Sequence, residues 1–304
     1  MYEPWKAEQL VSESQALTLI QEQFPAIHAK EISFLGAGWD NTAYLINRQW
    51  IFRFPRRQIA APLLEAEIAI LPQLALKLPL PIPTPIFVGK PSQSFPWPFA
   101  GYRVVPGTTA CGANLSEEER VELAVPIATF LKQLHAIPTS ILSGIPIHGD
   151  NLGRINPPSI IQRVTKVFDD LEKLGLLENR DQLEAILHQG SHLPTPELTT
   201  LVHGDFYVRH LLLDSHHRLA GIIDWGDIHV GNPAIDLAIA HCFLPRQAHA
   251  IFKETYGPIS DPIWQLAELR AIYSSAYIVL FGHQKPEPAL LREGLRALRQ
   301  IAKT

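Results

Sequence analysis

Two short stretches hold the residues whose types and spacing could do chemistry. In LVHGDFYVRHLLL (201–213) a His-Gly-Asp sits between two apolar runs, as a loop pinned beside a strand would, and in GIIDWGD (221–227) a second aspartate follows another apolar run. Asp205 and Asp224 are 19 positions apart, each at the end of such a run. That spacing predicts two carboxylates on neighbouring loops at one edge of a small sheet. Phosphoryl transfer needs such a pair: one carboxylate orients the acceptor hydroxyl and takes its proton, the other holds the metal that bridges the phosphates. Five residues past Asp205, where a phosphotransferase loop offers asparagine to the metal, stands His210. Magnesium prefers oxygen ligands and imidazole suits softer metals. Three readings of His210 are therefore open: a packed histidine, a member of the metal shell (directly or through a water), or the mark of a weakened site.

Upstream, Gly36 and Gly38 break a strand-like region, but position 41 is Asn41. The three-glycine dinucleotide fingerprint fails, which disfavours a dehydrogenase, and neither a GxxxxGK[ST] phosphate loop nor a GxSxG elbow occurs. In IFRF, Arg53 is a strand cation able to neutralise phosphate, and Glu67 on the next helix could hold it in place. Each alone reads as a surface ion pair, but their ordered succession with HGD and DWG does not read as chance. A second HGD string, IHGDN at 147–151, has no strand-like run or DWG behind it and is expected to be a turn between helices. The remaining histidines show no HExxH or CxxC frame, so no zinc site is expected.

The elements that must position these residues follow from periodicity. Residues 5–24 have apolar positions at helical spacing, ISFLGAGWDNTAYLI and QWIFRFP read as strands turning at Asn47-Arg48, and APLLEAEIAILPQLA reads as a helix. PIFVG and GYRVV are two further strands, joined through a proline-rich connector. After Pro106-Gly107 the character changes. Ser116 and Glu119 form a capping box, Pro126 should kink or divide the helix that follows, 157–176 and 180–188 are helical, and the chain is helical from Asn232 onward. The fold class is α+β, with a β-rich N-lobe over 1–106 and a mainly helical C-lobe over 107–304.

FLGAGWDNTAYLI, WIFRFPRR, LLEAEIAIL, FLKQLH, LVHGDFYVRHLLL, GIIDWGD and GNPAIDLA, in that order over nearly the whole chain, resemble the aminoglycoside phosphotransferase family of the protein-kinase-like fold. The resemblance implies a two-lobed kinase whose N-lobe covers ATP (or GTP) through Gly36, Gly38 and Asn41. It implies Arg53, at the strand position usually held by lysine, paired with Glu67, and a hinge at Val104 to Pro106 offering backbone groups to the base. Asp205 would be the catalytic base, Asp224 a Mg2+ ligand and Asp236 a structural acid bracing the loops. Arginine in place of lysine keeps the charge and adds a fork suited to phosphate. An HGD followed at this offset by histidine is similar to macrolide phosphotransferases, which favours a working site with His210 at the metal.

Composition fits this expectation. The 304 residues carry 46% hydrophobic and 18% charged residues, so the chain is globular, and a net charge of −4 gives no reason to expect nucleic acid or an anionic membrane as partner. Two distant cysteines and no basic-then-apolar N-terminus predict a cytoplasmic protein, no apolar run is long enough to span a bilayer, and nothing specifies an oligomer. Only 12 positions separate Asp224 from Asp236, too few for the peptide platform of a protein kinase, so the acceptor is expected to be a small molecule. Residues 246–304 carry eight Lys/Arg against five Asp/Glu, a poor match for a polycationic aminoglycoside. A macrolide or a small hydroxylated metabolite fits better, and the competing class is a nucleotide-binding pseudokinase with a regulatory or partner-binding role.

Overall fold

The fold comes from a computed structural model that describes residues 7–38, 40–145, 147, 149–150 and 153–303. Residues 5 and 6 of the expected first helix, and His148 and Asn151 of the IHGDN string, lie outside that set. The chain divides into two compact units. The first comprises Met1–Lys77, Pro81–Val105 and Leu142–Ile147; the second comprises Leu78–Leu80, Pro106–Ile141 and His148–Thr304.

The first unit is a five-stranded antiparallel sheet with two helices. Its strands are β1 (Ile32–Ala37), β2 (Asn41–Ile46), β3 (Trp50–Pro55), β4 (Pro85–Gly89) and β5 (Phe99–Arg103), in the order β1-β2-β3-β5-β4. Strand alternation decides what is buried: Thr42, Tyr44 and Ile46 of β2 turn inward with Phe52 and Phe54 of β3, and Phe95 and Phe99 complete the core. Asn47 and Arg48 both take left-handed backbone (φ 49° and 55°), the geometry that lets a two-residue turn follow the twist of its strands. Helix α1 (Glu13–Gln23) starts later than its periodicity suggests, because the Ser12 hydroxyl accepts the Gln15 N–H and sets its beginning. Helix α2 (Ala60–Ala75) follows β3 directly.

The second unit is mainly helical. Ser116 and Glu119 close the expected capping box on α3 (Glu117–Glu122). The helix is divided as the proline suggested, but the break falls at Leu123, between α3 and α4 (Ala124–His135). Pro126 then lies in the first turn of α4, where a missing N–H breaks no helical bond. Helices α5 (Pro157–Lys173), α6 (Arg180–Gly190), α7 (Ala234–Cys242), α8 (His249–Tyr256), α9 (Asp261–Gln284) and α10 (Pro288–Ile301) follow. Helix α9 is the central one, packing against α5, α6, α7 and α10 over a core of Phe168, Leu171, Leu183, Ile272, Ala276 and Val279. Five short strands carry the loops of interest. β6 (Thr108–Thr109), β8 (Leu211–Leu213) and β9 (Leu219–Ile222) form one sheet, and β7 (Thr200–Val202) pairs with β10 (His229–Gly231) in another. The α+β class expected from the sequence is the one observed. No helix among the described residues is long and apolar enough to cross a membrane.

Candidate active site

Strand β7 runs directly into His203-Gly204-Asp205. Gly204 holds left-handed backbone (φ 84°), and a Cβ there would lie 2.2 Å from the Asp227 carbonyl oxygen, so only glycine lets the 225–228 loop rest on this one. The turn is held from beneath by Asp236 in the first turn of α7, which is fully buried. Its carboxylate accepts the N–H groups of His203 (2.7 Å) and Gly204 (2.9 Å), and it faces His135 Nε2 at 3.0 Å. If Nε2 donates there, His135 Nδ1 accepts from the Tyr256 hydroxyl at 2.8 Å. Burial alone would raise the Asp236 pKa, but the hydrogen bond and charge of His135, with help from His203, outweigh it and hold the group below its ordinary value.

His203 is a neutral brace. Its Nε2 donates to the Ile223 carbonyl (3.1 Å), Nδ1 accepts the Asp205 N–H (3.3 Å), and burial pushes its pKa down to about 4. It therefore ties the Asp205 loop to the residue before Asp224. The Trp225 ring, wholly buried, sits 4.7 Å from that imidazole and anchors the second loop through Nε1 to the Ile222 carbonyl. Asp224 itself takes left-handed backbone (φ 64°), which aspartate tolerates better than most residues, and 49% of its side chain is exposed.

His210 stands between the two acids. Nδ1 donates to the Asp205 carbonyl at 2.8 Å and lies 3.6 Å from the Asp205 carboxylate, while Nε2 faces Asp224 Oδ2 at 3.3 Å. Burial pushes the imidazole pKa down, but Asp224 first and Asp205 second outweigh it and raise it. With Nδ1–H committed to a carbonyl, a proton on Nε2 is donated to Asp224 Oδ2, and loss of that proton leaves a nitrogen lone pair beside the carboxylate. Such a pair of donors holds either a proton or a cation. Asp205 is crowded by protein, with 39% of its side chain exposed. Burial, opposed by His210 and reinforced by Asp227 and Asp224, pushes its pKa up to about 6. That is near the operating range of a general base.

In the first unit, Arg53 Nη1 reaches both oxygens of Glu67, at 2.7 and 3.0 Å, and Glu67 is 1% exposed. The β1–β2 turn is closed by Gly38 N–H to the Asn41 carbonyl (2.9 Å). Two arginines that sequence reasoning left without a role staple it: Arg56 donates to the Gly38 carbonyl (2.5 Å) and Arg57 to Asp40 (2.5 Å). A Cβ at Gly36 would meet nothing within 4 Å, and one at Gly38 only the Asn41 carbonyl at 3.9 Å. The described protein therefore does not itself demand glycine at either position. Val104 spends its N–H on the Gln49 carbonyl (2.9 Å) and Pro106 has none, so their carbonyls are what they have left to offer. Gly36, Gly38, Asn41, Arg53, Glu67 and Val104 belong to the first unit; Pro106, Asp205, His210 and Asp224 belong to the second.

Sequence reasoning missed His135, Arg154, Asp227 and Arg270. Arg154 Nη2 donates to Asp227 Oδ1 at 2.5 Å, beside the HGD turn. The one advance sign of Arg270 was a lone cation inside the apolar run LAELRAIYSSAYIVLF.

A model of the phosphotransferase enzyme family matches residues 31–285. Among solved structures, the GDP complex of wild-type aminoglycoside 2'-phosphotransferase-IIIa is 27% identical with a TM-score of 0.70, covering 96% of this chain and 99% of that one. The GDP and kanamycin complex of APH(2")-IIIa is 26% identical at a TM-score of 0.67, covering 94% and 97%. Macrolide 2'-phosphotransferase type I, at 22% identity and a TM-score of 0.61 over 96% and 98%, shares the fold. The uncharacterized protein YcbJ of Bacillus subtilis (strain 168) is 23% identical over 74% of each chain.

Proposed function

Since the chain belongs to the phosphotransferase enzyme family, we propose that it transfers the γ-phosphoryl group of a nucleoside triphosphate to a hydroxyl of a small molecule. The observation that carries the reading is the convergence of the Asp205 and Asp224 carboxylates on His210, at 3.6 and 3.3 Å, on loops braced by Asp236. Asp205 accepts the proton of the acceptor hydroxyl as its oxygen forms the new bond to phosphorus. The bond to the β-phosphate oxygen breaks, and the nucleoside diphosphate leaves. A carboxylate whose proton affinity is raised toward neutrality suits that work.

Asp224 and His210 are the residues that would hold Mg2+, which neutralises charge on the phosphates when bound. Two protein donors suffice where phosphates and water complete the shell. Arg53, oriented by Glu67, supplies a fork to phosphate oxygens. Gly36 and Gly38, with Asn41 closing their turn, keep the β1–β2 connection bare enough for phosphates to approach its backbone, and the carbonyls of Val104 and Pro106 serve the base. ATP and GTP both enter as donors, the GDP complexes of the similar aminoglycoside kinases giving GTP its claim. The test is transfer of label from γ-labelled ATP and GTP, with Mg2+, to hydroxylated antibiotics and metabolites. Nucleotide binding with no transfer to any acceptor would make the chain a nucleotide-binding module instead.

A further inference from the structure

Near Asp205 lies a group of charges that the phosphoryl-transfer machinery does not use. It is built by strand pairing. Gly149 bridges Val230 of β10, and β10 pairs with β7, whose end is the HGD turn. This brings Asp150, part of the string expected to be a turn between helices, to the strand pair that leads into the HGD turn. Asp150 Oδ2 accepts the Ile155 N–H at 3.2 Å, but Oδ1, shut off from solvent, meets no donor among the described residues.

Opposite in sign is Arg270 of α9, 8% exposed. Its guanidinium lies 4.9 Å from the Tyr273 ring centre, and Nη1, also shut off from solvent, meets no acceptor among the described residues. It is close enough to Asp205, Asp150 and Arg154 to feel the charge of each. Arg154 is already matched by Asp227 at 2.5 Å. A buried cation and a half-buried carboxylate thus stand near the proposed base, each with an unused hydrogen-bonding atom. Leaving a charged group buried and unsatisfied is costly, and a ligand that completes both removes the cost.

We propose that the acceptor is a hydroxyl-bearing zwitterion, a small molecule of the hydroxylated amino-acid class, whose carboxylate is taken by Arg270 and whose ammonium is taken by Asp150 while its hydroxyl faces Asp205. This rests on the phosphotransferase reading and narrows it. A polycation finds two arginines beside the acids, and a macrolide, with an amine but no carboxylate, would leave Arg270 without a partner. A compound carrying one charge of each sign satisfies both.

The experiment compares acceptors that differ by one charged group, using γ-labelled ATP and GTP. Serine, threonine and homoserine are the zwitterions, ethanolamine and choline lack the carboxylate, glycolate and glycerate lack the ammonium, and kanamycin is the polycation. At least one zwitterion is expected to exceed its single-charge analogues in kcat/KM by tenfold or more, since a site built to bind a polar group rejects analogues that lack it. Arg270→Gln should shrink the preference for the zwitterion over the amine, and Asp150→Asn the preference over the acid, each about tenfold and each leaving the other preference in place. A purely structural role would slow all acceptors alike. Because Arg270 is buried, the wild-type panel decides by itself if a variant fails to fold. Amines, acids or kanamycin labelled as well as every zwitterion would overturn the proposal and leave the phosphotransferase reading standing. No transfer to any acceptor, antibiotics and other metabolites included, would overturn both.

Discussion

The chain contains the tripeptide His-Gly-Asp twice, at 203–205 and at 148–150, and the two strings are put to different uses. At the first, a strand leads in, Gly204 takes a backbone that other residues resist, and a buried aspartate receives two consecutive backbone N–H groups. At the second, the described residues are tied by a bridge to Val230 and by Asp150, whose carboxylate accepts the Ile155 N–H and whose carbonyl accepts the Gly153 N–H. A tripeptide is not a site. What separates the two is the set of distant residues that fix the backbone, Asp236 above all, which holds the first turn and has no counterpart among the described residues of the second.

The largest effect that can break this comparison is on turnover. Asp205→Ala is expected to lower the phosphotransfer rate by ~10²–10⁴, the range that a positioned general base supplies, while nucleotide affinity stays close to that of the wild type. Asp150→Ala should leave a measurable rate and act mainly through the KM of the acceptor. Steady-state kinetics on the two purified variants settles the matter. Equal losses of kcat would mean that the two strings share the catalytic work.

Stability comes next. Asp236→Asn puts an amide where two backbone N–H groups and His135 need acceptors, and is expected to cost about 3 kcal/mol in denaturant unfolding. The pH dependence gives this prediction its sign. Asp236 is held below its ordinary value of 3.8, so its contribution is complete above that pH and is lost as pH falls through the lower folded value. The gap between wild type and variant should therefore be constant near neutrality and close in strong acid. A gap that widens in acid would assign the bracing to another group.

Much of this was legible in the sequence because it is local. The hairpin at Asn47-Arg48 rests on the residues beside it, and the capping box of Ser116 and Glu119 on residues three apart. The α+β class followed from runs of period two giving way to runs of helical period. The two acids of the proposed site stand where apolar runs end. What could not be read is whatever depends on contact between remote segments. Asp150 gains its place through a bridge to Val230, 80 positions on, and Arg270 looks like an interruption of helix core until its charged neighbours Asp205 and Asp150 are brought near it. Pro126 shows the limit on a smaller scale: proline marks where a helix divides only to within a turn, since the first turn of the next helix accepts it.

His210 sharpens the comparison from inside the first loop, and its expected effect is the smallest. Nδ1 is committed to the Asp205 carbonyl, so only Nε2, 3.3 Å from Asp224, is free to enter a metal shell. Manganese, a first-row transition ion, tolerates an imidazole nitrogen better than magnesium does, whereas asparagine oxygen suits both. His210→Asn is therefore expected to change the rate in Mg2+ by less than about tenfold in either direction, well short of the loss at Asp205. The ratio of kcat/KM in Mn2+ to that in Mg2+ should fall at the same time. A histidine that merely packs would slow the reaction equally in both metals, because its loss would disturb the Asp205 carbonyl without altering the ligand set. Measuring the two-metal ratio for wild type and variant separates these outcomes: an unchanged ratio places His210 outside the metal shell and leaves Asp224 as its one protein ligand from these loops.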